Sequence, residues 1–97
     1  MNEIERLRQA IRDLHGCDSA RVQSVAVREM FQGKVVWEGN VEDFRLINHP
    51  RAKTAFAWSY KNDTGETRYV AVLAVPPVDT AVNAVRAYIV AESQKQK

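Results

Sequence analysis

His15-Gly16-Cys17-Asp18 gathers an imidazole, a thiol and a carboxylate within four residues, and His49 offers a second imidazole further along. Such a set could ligate a metal, or pair Cys17 with a histidine base as a thiol nucleophile requires. A structural zinc site needs four ligands, usually in paired motifs, and a lone cysteine without repeated spacing falls short of that. The expected place of His15 is the last turn of a helix, where a partly positive imidazole suits the dipole, with Cys17 acting as a small apolar residue. His15, Cys17 and His49 therefore stand as a metal-dependent or small-ligand enzyme alternative, for which unchanged activity or metal content in Cys17→Ser would be fatal. No catalytic residue or metal site is assigned. Nor is a nucleotide cofactor expected, because glycines at 16, 33, 39 and 65 form no glycine-rich loop opening a helix. Glu42 and Asp43 are adjacent on a strand, face opposite sides and cannot share a proton, so they read as a solvated edge or bulge.

The second chemical pattern is aromatic. Phe56, Trp58, Tyr60 and Tyr69 are interleaved with Arg51, Lys53, Lys61 and Arg68, and rings on a sheet can stack bases while flanking cations hold phosphate. RNA or single-stranded nucleic-acid binding through Arg51, Lys53, Arg68 and these aromatics is thus one reading. The whole-chain charge is only +2, too slight to imply a polyanionic partner by itself, although residues 48–97 hold seven basic side chains against four acidic. The favoured reading is a contact surface for a second copy or another protein. It uses Trp37, Phe56, Trp58, Tyr60 and Arg68, with His49 and Arg51 at the rim.

These residues need elements to hold them. Ile4, Leu7, Ile11 and Leu14 recur at helical spacing, with Asn2 and Glu5 as a capping box and Gly16 as a left-handed stop. From Arg21 to Ile47 the chain is rich in valine and aromatic residues, broken at Gln32-Gly33-Lys34, which predicts a β-hairpin. Setting Phe31 opposite Val35 places Glu29 against Trp37, Val27 against Gly39, Val25 against Val41 and Arg28 against Glu38. The apolar phase then switches from Val35, Trp37 and Val41 to Phe44 and Leu46, and a bulge near Glu42-Asp43 or a bend at Gly39 would reconcile the two. Asn48-His49-Pro50-Arg51 connects to a second hairpin, Lys53 to Tyr60 and Glu66 to Val75, around Asn62-Asp63-Thr64-Gly65. Its register puts Tyr60 opposite Arg68, Trp58 opposite Val70 and Phe56 opposite Val72. Pro76-Pro77 ends the sheet, and Asp79 caps a helix running to about Ser93 with Val82, Val85 and Ile89 as its stripe, flanked by Ala81 and Tyr88. The tail from Gln94 to Lys97 is expected to fray.

The expected fold class is α+β, a four-stranded antiparallel sheet built from two hairpins and flanked by terminal helices, order α-β-β-β-β-α, as one domain over residues 1–97. Helix, sheet and helix in that succession look like the double-stranded-RNA-binding domain and frataxin-like proteins. The likeness covers element order alone, and no functional residue is carried across. The strand from Arg68 to Val75 is apolar on both sides, so each face of the sheet needs a cover. One helix on each face would supply it, as would a partner lying on the aromatic face. A single cysteine, no leader-like N-terminus and no long apolar run lead to an expected cytoplasmic location without a membrane partner.

Overall fold

In the computed structural model, which describes residues 2–95, the Asn2 side chain accepts a hydrogen bond from the Glu5 backbone at 2.8 Å and so starts α1, Glu3–His15. Gly16 closes the helix in the left-handed region, its N–H bonded to Arg12 O. Leu7 and Ile11 are buried and Ile4 packs beside them, whereas Leu14, expected in the same stripe, is 59% exposed. The last turn of α1 meets the sheet through His15 instead, which bonds the Ala71 carbonyl at 3.0 Å.

The strands β1 (Ser19–Phe31), β2 (Lys34–Leu46), β3 (Thr54–Lys61) and β4 (Thr67–Leu73) form one antiparallel sheet in sequence order, followed by α2, Ala81–Lys95. The α-β-β-β-β-α order read from the sequence is the order found. The β3–β4 register is also as read, with Phe56 opposite Val72, Trp58 opposite Val70 and Tyr60 opposite Arg68. Asn62 Oδ1 organises the turn between them by accepting from the Thr64 and Glu66 backbone.

In the first hairpin the interior pairs hold, Glu29 with Trp37, Val27 with Gly39 and Val25 with Val41, but the tip differs. Gln32 and Gly33 both have positive φ, 53° and 79°, so a two-residue turn matched to strand twist sets Phe31 against Lys34 rather than Val35. Val36 is then the extra residue that restores the interior register. A second irregularity leaves Val22 of β1 extra, on the strand opposite the expected Glu42-Asp43 bulge.

The switch in apolar phase along β2 has a different cause from a bulge or bend. Val41 belongs to a core under α2, with Val27, Phe56, Trp58, Val70, Ala84 and Val85. Phe44 and Leu46 belong to a core under α1, with Leu7, Ile11, Ala55 and Ala57. Each helix covers one face, so β2 turns apolar side chains to α2 in its first part and to α1 in its last. Glu42, expected to be solvated, is 6% exposed on the α1 side. It accepts hydrogen bonds from Ser24 Oγ and, at 3.4 Å, from Arg21 Nη1.

Helix α2 begins one residue later than expected. Thr80 Oγ1, not Asp79, accepts from the Asn83 backbone at 3.1 Å, while Asp79 accepts from the Asn83 side chain. The helix continues through Gln94 and Lys95, and the last two residues of the tail lie outside the described residues. Among the described residues no helix is long and apolar enough to cross a membrane.

Candidate functional site

β2 pairs with β3 only over Glu42–Arg45 against Thr54–Ala57. Past that point Lys34–Val41 and Trp58–Lys61 have no ladder partners across the gap, and the two hairpins part. On the α2 side the parting opens a cleft of about 440 Å³, lined by Trp37, Trp58, Tyr60, Tyr88, Glu92 and the start of the β3–β4 turn. That is within the size range of small-molecule sites.

The rings are held by one another. Trp37 and Trp58 have centroids 6.0 Å apart, Trp58 and Tyr88 5.8 Å, and Tyr60 and Tyr88 6.0 Å, the last two edge-to-face. Each such pair is worth about 0.5–1.5 kcal/mol beyond its buried area. Trp37 can lie along its own strand because Gly39 follows two residues later on the same face. A Cβ there would stand 2.9 Å from the indole, so a larger residue would push the ring away. The hydroxyls of Tyr60 and Tyr88 are 2.9 Å apart and hydrogen-bond. Burial, then the bond to Tyr60 and its charge, then Glu92, push the Tyr88 phenol well above its ordinary value of 10.0. It therefore stays neutral at physiological pH.

The structure brings together three of the sequence-predicted contact residues, Trp37, Trp58 and Tyr60, and separates the others. Phe56 and Trp58 are 5% and 3% exposed, because α2 packs over the aromatic face; of the two covers the sequence allowed, a helix on each face is the one found. Arg68 is opposite Tyr60 but exposed, 3.9 Å from Glu66. His49 and Arg51 lie at the other end of β3. There His49 Nδ1 accepts from the Arg51 and Ala52 backbones, each at 3.1 Å, and so shapes the connection. Lys53 and Arg51 are thus about 25 Å, the length of β3, from Arg68. Of the four cations in the sequence pattern, Lys61 lines the cleft with the rings, and Arg51, Lys53 and Arg68 do not.

His15 and His49 meet edge-to-face at 6.5 Å, and His15 Nε2 bonds the Ala71 carbonyl at 3.0 Å. Cys17 is half-buried against the α1 core. Among the described residues no group of three His, Cys, Asp or Glu side chains is placed to hold a metal.

Sequence reasoning missed Tyr88 and Glu92 as parts of the site. Helical spacing from Val85 puts both on the sheet-facing side of α2, yet nothing in the sequence says which strand lies beneath. Set against protein-family models, curated proteins and solved structures, the chain matches none.

Proposed function

We propose that the chain is a protein-interaction module that self-associates, its copies joined edge to edge through β1. The observation that supports this is the character of that edge. β1 is an outer strand of 13 residues, carries no proline, and exposes Val22, Met30 and Phe31 at 64%, 49% and 65%. Arg8 Nε takes the Ser19 carbonyl at 3.0 Å, and an outer strand that continues for another twelve residues past it is a template for a further strand. The other edge, β4, has seven residues, and the His15 ring already occupies its Ala71 carbonyl.

The occupant that suits β1 is β1 of a second copy. A two-fold axis at Ala26 would set Val25 against Val27, Ser24 against Arg28 and Gln23 against Glu29, and bring Met30 toward Val22. No like charges oppose each other in that register, and the exposed apolar ends gain partners. α2 lies close to this edge, tied to it by Arg86 and Glu29 at 3.0 Å. One turn beyond Arg86, on the same side of α2, stands Val90, 54% exposed.

Light scattering over a dilution series tests the reading. The expected mass is about 22 kDa, twice the 11.0 kDa chain, falling toward the single chain on dilution. Ala26 is exposed, and Ala26→Lys would put like charges on the axis and weaken association by about tenfold or more. Mixing Ala26→Lys with Ala26→Asp should restore it. A single-chain mass at every concentration, or an Ala26→Lys protein that associates as well as the parent, would sink the proposal.

A further inference from the structure

The cleft at the parting of β2 and β3 lies one strand inward from the β1 edge, and what it could bind is independent of self-association. Trp37, Trp58, Tyr60 and Tyr88 supply its aromatic carbon, and ring faces carry negative potential that attracts cations. Among the described residues that line the cleft, the carboxylates of Glu92 and Asp63 outnumber the ammonium of Lys61. An ammonium rich in N–H donors would have to give up water where it meets ring carbon, which offers no ordinary hydrogen-bond acceptor. A cation without such donors loses less on entering a site built of rings.

We propose that this cleft binds an alkylated ammonium group, with the aromatic cluster against the cation and Glu92 and Asp63 balancing its charge. The group could be carried by a free quaternary amine or by a methylated lysine side chain. A volume of about 440 Å³ leaves room for either headgroup together with part of its stem.

The two tryptophans of the chain, Trp37 and Trp58, both line the cleft, so indole emission reports on this site alone. Choline is titrated at constant ionic strength beside its uncharged isostere, in which a tert-butyl group replaces the trimethylammonium. The expected result is saturable binding of choline, about tenfold tighter than that of the isostere. Glu92→Gln, which conserves shape, should weaken choline by about threefold or more and leave the isostere unchanged, with the circular dichroism spectrum confirming the fold. A peptide bearing trimethyllysine, compared with its unmodified form, identifies the source: stronger capture than choline points to a modified protein tail, equal capture to a free amine. Equal affinity for choline and the isostere, no saturation by either cation, or indifference to Glu92→Gln would overturn the assignment.

Discussion

Tyr88 is a phenol whose ionisation the fold opposes. Burial and its contacts with Tyr60 and Glu92 raise its phenol above the ordinary 10.0, so the folded chain holds this proton more tightly than the unfolded chain does. The stabilisation is complete below pH 10 and is lost as pH rises beyond it, where unfolding releases the proton. Tyr88→Phe should therefore lose less stability than the parent between neutral pH and about one unit above the ordinary phenol value. Urea midpoints at the two pH values provide the check, and identical losses would mean Tyr88 is not titrating differently in the two states. None of this was legible in the sequence, where Tyr88 reads as a flank of the α2 stripe. Glu42 teaches the same lesson in reverse. Adjacent carboxylates on a strand suggest water, but the pleat turns Glu42 under α1, where Ser24 and Arg21 satisfy it.

At the scale of elements, local chemistry was a good guide wherever neighbours in sequence make the structure. The Asn2 cap, the Gly16 stop and the Asn62 turn depend on contacts within four residues and lie where their residue types placed them. The tip of the β1–β2 hairpin was misread by one residue because hydrophobic matching of Phe31 with Val35 competed with turn geometry. Turn geometry prevailed: Gly33 at φ 79° sits in a conformation that costs other residues about 1 kcal/mol. Gly33→Ala should destabilise the chain by about that amount, since a Cβ there meets nothing within 4 Å and only the backbone resists. Gly33→Asn, which tolerates positive φ, should cost less. Thermal midpoints of the two variants settle the comparison; an Ala variant as stable as the parent would show that the turn tolerates another shape.

At the scale of the whole molecule, Trp58 tests how the aromatic face is used. At 3% exposure, between Trp37 and Tyr88, it should cost about 3–5 kcal/mol on truncation to alanine, with Phe a milder replacement. That is a large part of the 5–15 kcal/mol typical of a domain, so Trp58→Ala should be largely unfolded or close to it in chemical denaturation. A variant losing less than about 1 kcal/mol would place the ring at a surface instead. The amino-acid sequence by itself determined the element order, both hairpins and nearly all the pairing within them, because caps, turns and alternation act over a few residues and leave their mark in residue type. It also required that both faces of the sheet be covered. Only the tertiary structure decided that α1 and α2 take opposite faces, which made Phe56 and Trp58 core residues, explained the two apolar phases of β2 and brought Tyr88 and Glu92 to Trp37. Those outcomes depend on contacts between segments tens of residues apart. Hydrophobic burial is non-directional, so a sequence can demand a cover for each face without saying which helix supplies it.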